Sequence, residues 1–262
     1  MTQVTKFWPL LTAMHRYDKS LSTRNIDIGI MMDAPILAYL IETKNGRILF
    51  DVGCDYTKIN NPKLVSTYYE EKIFAAPTMQ EEQRLPHHFE RLGISAADID
   101  VVFLSHLHFD HAGGLCDVCG VMHTPEVHVQ QDELAFAQSG QDMAYFSDEV
   151  IAKPYWKIQQ GEYSLTNGVE AITTPGHTAG HMSLFTELPK GPPIILAGDA
   201  ADLQQNIIEE IAPGLCWQDN SQLAIDSIRK LKKLAAQENA MLWPNHDISF
   251  FQSQKKFPDY YE

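Results

Sequence analysis

Residues 106–111 of this chain read His-Leu-His-Phe-Asp-His, and Ala112-Gly113-Gly114 follow. In extended chain, alternate side chains share a face, so His106 and His108 are expected to point the same way. Asp110 and His111 come next, and the two glycines permit a sharp turn into the following element. Three neutral imidazoles and one carboxylate within six residues make a poor core. They make a good cage for a borderline-soft divalent cation, zinc above all, with iron, cobalt or manganese as alternatives. A lone histidine is more often a satisfied structural residue than a ligand, and that reading is applied to His15, His87, His88, His123 and His128. Three at this spacing need a shared cause.

Such a cluster must be positioned by a scaffold, and the flanking sequence supplies one. Val101 to Leu104 is a short apolar run, as expected of a strand buried on both faces. A buried strand followed by a polar cluster recurs three times: Ala171 to Thr174 runs into Pro175-Gly176-His177, Ile194 to Ala197 into Gly198-Asp199, and Met241 to Trp243 into Pro244-Asn245-His246. Active sites are often built at such edges, with loop residues held by a rigid sheet. Upstream, Ile36 to Ile41 and Arg47 to Asp51 read as strands joined by a Lys44-Asn45-Gly46 turn. The stretch from about 54 to 86 is polar, aromatic and irregular, and is expected to be an insertion or lid. A helix around His88 to Leu92 should stop at Gly93. Asn220 or Ser221 should cap a long helix with Ala224, Ile228, Leu231 and Ala235 on one face. No linker separates independent domains, so residues 1–262 are read as one unit.

The composition excludes several function classes. A formal net charge of -14 over 262 residues disfavours a polyanion ligand such as nucleic acid. The basic cluster Arg229, Lys230, Lys232 and Lys233 reads as the solvated face of the long helix. Four cysteines are too few for a disulfide framework in a chain of this size. Cys116 and Cys119 form a Cys-x-x-Cys without a second ligand pair, and read as two reduced thiols. Asp132-Glu133 and Glu209-Glu210 read as solvated faces. No signal peptide is expected at the N-terminus, and no apolar run is long enough to cross a bilayer. A cytoplasmic protein, monomer or homodimer, is the default.

The His-x-His-x-Asp-His run resembles the signature of the metallo-β-lactamase superfamily. That resemblance implies an α/β fold, a four-layer αβ/βα sandwich of two mixed sheets flanked by helices, with metals at one edge between the sheets. It also calls for a later His, an Asp and a final His, matched by His177, Asp199 and His246. Carried over by position, one zinc would take His106, His108 and His177. The second would take Asp110, His111 and His246, and Asp199 would bridge the two. Within the superfamily the chain looks most like the N-acyl-homoserine lactonases, through Ser105 to Gly114, Pro175 to Phe185, Asn245-His246-Asp247 and Phe50-Asp51-Val52-Gly53. Asp51 is expected to orient a ligand histidine by accepting its other N–H, and His181 to sit behind the ligands or simply pack.

The implied reaction is metal-assisted opening of a lactone, with Asp110 shuttling a proton to the leaving alkoxide. Tyr68, Tyr69, Phe74, Met31 and Met32 are expected as apolar walls for a lactone or ester substrate. One departure stands out. Those lactonases commonly carry a tyrosine three residues after the bridging aspartate, whose hydroxyl helps polarise the carbonyl, and Asp202 occupies that place here. An ionised carboxylate cannot donate that hydrogen bond. The metal alone, another donor from the variable loops, or a different substrate would resolve this. Glyoxalase-type thioesterases share the central motif and are the nearest alternative. A non-catalytic metal-binding module would be expected to have lost a ligand.

Overall fold

The computed structural model describes residues 2–70, 75–120, 124–150 and 156–262. Among them, the first sheet holds β1 (Val4–Asp18), β2 (Met31–Thr43), β3 (Gly46–Phe50), β4 (Val101–Phe103), β5 (Glu126–Gln130) and β6 (Trp156–Gln159), in that spatial order. The second holds β7 (Tyr163–Thr166), β8 (Val169–Thr173), β9 (Met182–Thr186), β10 (Ile194–Leu196) and β11 (Met241–Trp243), also neighbours in chain order. Both are mixed: β3 to β6 pair in parallel and β1 to β3 antiparallel, while β10 and β11 form the parallel pair of the second sheet.

Helices α1 (Tyr56–Asn60), α2 (Pro62–Tyr68), α3 (Leu85–Arg91), α4 (Phe109–Ala112), α5 (Leu115–Val118) and α6 (Gln131–Gln138) interleave with the first sheet. Helices α7 (Gln204–Glu209), α8 (Ser221–Glu238) and α9 (Ile248–Ser253) accompany the second.

Three packed interfaces make the four layers. Phe7, Tyr39, Phe50 and Phe103 of the first sheet meet Val169, Leu184, Ile194 and Trp243 of the second. The other face of the first sheet, through Leu40, Leu49, Val102 and Val127, packs on Leu85, Phe89, Leu115 and Leu134 of α3, α5 and α6. The outer face of the second, through Ile172, Phe185 and Ile195, packs on Ile228 and Leu231 of α8. This is the four-layer sandwich that the motif resemblance implies. Asn220 caps α8 by accepting from the Leu223 amide, as the sequence implies.

Two local features go beyond the sequence reading. Residues 4–18 form one long strand through Pro9, which is tolerated because β1 lies at the sheet edge, where a missing N–H breaks no central ladder. The stretch after residue 54 is not irregular throughout. Asp55 and Asn61 cap α1 and α2, and Ile59, Tyr69 and Met79 are buried with Phe109 and Phe146. Short capped helices carry too few turns to leave a 3.6-residue pattern in sequence.

Candidate metal centre

Five strand ends deliver the polar residues to one edge between the sheets. Asp51 lies just past β3, His106 to His111 past β4, His177 past β8, Asp199 past β10 and His246 past β11. The turn after β4 is closed by α4, whose end runs against the backbone after β3. A Cβ on Gly114 would sit 2.0 Å from the Val52 carbonyl oxygen, and one on Gly113 2.5 Å from that of Phe109. Both glycines have ordinary negative φ, so they supply close approach rather than left-handed backbone.

All seven residues expected as ligands converge. Asp199 is at the centre, and its two oxygens face different partners. Oδ2 lies 3.8 Å from His106 Nε2 and 3.5 Å from His177 Nε2. Oδ1 lies 3.3 Å from His111 Nε2 and 3.2 Å from His246 Nε2. Asp110 Oδ2 is 3.7 Å from His111 Nε2 and 3.8 Å from His246 Nε2, and His108 Nδ1 is 3.1 Å from His177 Nε2. Ligand atoms bound at 2.0–2.1 Å in a tetrahedron stand about 3.3 Å from one another, so these spacings suit donors around shared cations. His106 Nε2 and His111 Nε2 are buried without a hydrogen-bond partner, which is costly unless another group takes up their lone pairs. The donor set therefore fits divalent metal ions.

Surrounding hydrogen bonds fix which ring nitrogen faces inward. His111 Nδ1–H donates to Asp51 at 2.8 Å, and Asp51 also accepts from the Ser105 amide and hydroxyl at 2.7 and 2.8 Å. His246 Nδ1–H donates to the Pro35 carbonyl at 2.9 Å. His181 is not among the inward-facing rings. Its Nε2 accepts the Asp199 amide at 2.9 Å while Nδ1–H donates to Thr174 Oγ1, and burial holds its pKa down at about 3, so it stays neutral. Asn245 Nδ2 donates to Asp199 Oδ1 at 2.9 Å.

The charges respond as expected of a site built around cations. Burial lowers an imidazole pKa, yet Asp199, Asp202 and Asp110 outweigh it at His246 and raise it to about 10. Burial leaves His177 at about 4, with Asp199 opposing. Burial, with Asp199 next, pushes the Asp202 carboxyl up to about 8.

By sequence, residues 32–246 match the metallo-beta-lactamase superfamily. The chain belongs to that superfamily. Among its members, an N-acyl homoserine lactonase from a Bacillus species is 34% identical over 244 residues, 93% of each chain, and one from Bacillus cereus is 32% identical over the same shares. A solved N-acyl homoserine lactone hydrolase, with the product N-hexanoyl-L-homoserine at its catalytic metal centre, superposes with a TM-score of 0.87. It is 30% identical, and the match covers 99% of this chain and 100% of that one.

Several metallo-beta-lactamase site features escape sequence reading. Glu133, expected on a solvated face, is 1% exposed and ties two ligand-bearing loops together. Its Oε1 accepts from the Leu107 amide at 2.9 Å and the Tyr145 hydroxyl at 2.8 Å; Oε2 accepts from the Thr178 hydroxyl at 2.6 Å and the Gly180 amide at 3.2 Å. Asp142 lies 3.4 Å from His108 Nε2, and although burial opposes it, His108 holds its pKa well below the usual carboxylate range. It sits in an irregular run with no pattern to betray it.

The cavity over the cluster is walled by His15, Tyr17, Leu21, Phe109, Ala144 and Leu215. His15 is thus a wall residue as well as a satisfied one, its Nε2 bonding the Ala75 carbonyl at 2.7 Å. The expected walls lie elsewhere: Tyr69 is buried behind Phe109, Tyr68 packs on Phe146 and the Lys58 ammonium, and Met31 and Met32 are outside the lining. Phe74 and His123 fall outside the described residues.

The remaining minor expectations agree with the fold. His88 and His128 are held by the Leu11 carbonyl and the Tyr163 hydroxyl. Arg229, Lys230 and Lys232 pair with Glu210 and Glu162 rather than forming a free basic patch. Cys116 donates weakly to the Gly113 carbonyl at 3.5 Å. No helix among the described residues is long and apolar enough to cross a membrane.

Proposed function

We propose that this chain is a dizinc lactonase that opens an N-acyl homoserine lactone or a closely related lactone. In this reading His106, His108 and His177 hold one ion, Asp110, His111 and His246 hold the other, and Asp199 spans both. The observation that carries it is the division of Asp199, one oxygen turned to each histidine group. The similarity to lactonases over nearly the whole chain supports the substrate class.

When bound, such a metal pair supplies a nucleophilic hydroxide near neutral pH and polarises the carbonyl. The protein's own groups do the rest. Asp51, Pro35 and Asp142 aim three of the imidazoles. Leu21, Phe109 and Leu215 offer apolar contact to an acyl chain and exclude water from it. The water oxygen joins the acyl carbon, the ring C–O bond breaks, and Asp110, which lines the cavity, is placed to take the proton that the attacking water loses and pass it to the released alkoxide.

The test is a substrate panel on zinc-loaded protein: short- and long-chain homoserine lactones, simple γ-lactones, aromatic lactones and a glutathione thioester. Lactone opening, abolished by chelator and restored by about two equivalents of zinc, is expected. Turnover of the thioester alone would refute the lactonase reading and leave the fold untouched.

A further inference from the structure

An ester carbonyl that is attacked gains negative charge on its oxygen, and a preorganised O–H or N–H donor there is a large catalytic asset. The lining of the metal cavity offers few. Most of its polar groups are the clustered imidazoles and carboxylates, and His15 Nε2 is already engaged by the Ala75 carbonyl. Among the described residues of the lining, Tyr17 is the only one whose side chain is an alcohol or phenol.

Its placement comes from the strand it sits on. His15 and Tyr17 alternate with Arg16 along β1, so both rings face the cavity, 5.0 Å apart, while Arg16 turns outward to Asp33. The phenol oxygen is 2.8 Å from Ser22 Oγ. The Asp202 carboxyl lines the same cavity, and its Oδ1 is buried without a hydrogen-bond partner. Ser22 is itself fixed: it is fully buried, and its carbonyl accepts from Asn206 Nδ2 at 2.8 Å. Burial, with Asp202 next, keeps the phenol protonated well above its usual range, so its proton is available at any working pH.

We propose that Tyr17 donates the hydrogen bond to the substrate carbonyl oxygen, and that Ser22 holds its hydroxyl in place. The proposal rests on the ester-hydrolase reading above. The phenol can accept from Ser22 while donating into the cavity, so substrate recruits it without breaking the anchoring bond. Tyr17 is then a catalytic residue, and Ser22 is a positioning residue. A donor on the N-terminal strand would replace one carried beside Asp199, a position filled here by an aspartate.

Three variants and the wild type test this, each loaded with zinc and checked for metal content and thermal midpoint. On the fastest ester of the panel, Tyr17→Phe should lower kcat roughly 10–100-fold with little change in KM. Ser22→Ala should lower it several-fold. Tyr17→Phe combined with Asp202→Tyr, which returns a phenol to the same cavity from the second sheet, should recover part of the loss. Binding of an N-acyl-homoserine hydroxy acid, followed by calorimetry, needs no turnover, and Tyr17→Phe should weaken it about 5–10-fold. Wild-type inactivity on lactones would sink the lactonase reading alone. Metal-replete, folded Tyr17→Phe with wild-type kcat and product affinity would overturn the assignment of Tyr17.

Discussion

Glu133→Gln isolates the carboxylate that joins the loop after β4 to the loop after β8. Four donors converge on its two oxygens, one backbone N–H and one hydroxyl on each. Glutamine is the same size but has one acceptor oxygen and an NH2 group. The Tyr145 and Thr178 hydroxyls can rotate to accept from that NH2 group. The amides of Leu107 and Gly180 cannot, so whichever way the side chain turns, one buried N–H meets another donor. An orphaned buried donor costs about 1–3 kcal/mol, and the surviving bonds lose their charge-assisted strength. A total of about 2–4 kcal/mol lowers the thermal midpoint of a chain this long by roughly 5–10 °C. Leu107 lies between His106 and His108, and Thr178 is next to His177, so metal affinity should also fall about 10–100-fold. Differential scanning calorimetry of the loaded protein and a competitive metal titration read both effects. Asp132→Asn, on the exposed neighbour, should change neither. If Glu133→Gln matched the wild type in both midpoint and metal affinity, the account of how the two loops are joined would be wrong.

The same geometry sets other outcomes. Asp51→Asn replaces with an NH2 donor one of the two oxygens that accept from three donors around His111, and metal titration should show one equivalent per chain weakened about 10–100-fold while the other is retained more tightly. Gly176→Ala places a Cβ 2.4 Å from the Ala224 Cα of α8 at a φ of +141°, and denaturant unfolding should show a loss of about 2–5 kcal/mol. In metal-free protein His246 is raised from 6.5 to about 10, so its stabilising contribution is complete below pH 6.5 and is lost as pH rises towards 10. Metal ions replace that proton, so the gain in thermal midpoint on adding zinc should increase with pH over this window; a gain that shrinks would refute the assignment.

The parts of this molecule that sequence exposes are those where one residue type repeats under one constraint. Val101 to Phe103, Ile194 to Leu196 and Met241 to Trp243 are buried strands that read as apolar runs, and the ligand candidates are the polar residues at the C-terminal end of each run. Asp51 is visible for the same reason. Glu133 is not, because an acidic residue in the first turn of a helix beside Asp132 has the pattern of a solvated face, and only the approach of the β8 loop buries it. Tyr17 and Leu215 are distant in sequence and meet over the cluster only when both sheets are in place. Tyr69 misleads in the opposite sense: its large ring suggests a wall, yet it backs Phe109 from the far side.

The long β1–β2 hairpin runs from the shared core out to the roof of the cavity, where its connecting segment is pinned by Arg24 to Ala212, Gly214 to Leu21 and Asn206 to Ser22. The candidate metal ligands therefore follow rigid strand termini, whereas Leu21 and Leu215 of the wall, with Ser22 that anchors Tyr17, belong to a strap spanning residues 19–30 and the segment near 212–215. Exchanging that strap for one of different length or polarity would retune which acyl group is admitted without moving a single imidazole. Diversification of such a catalyst, natural or engineered, has an obvious place to begin.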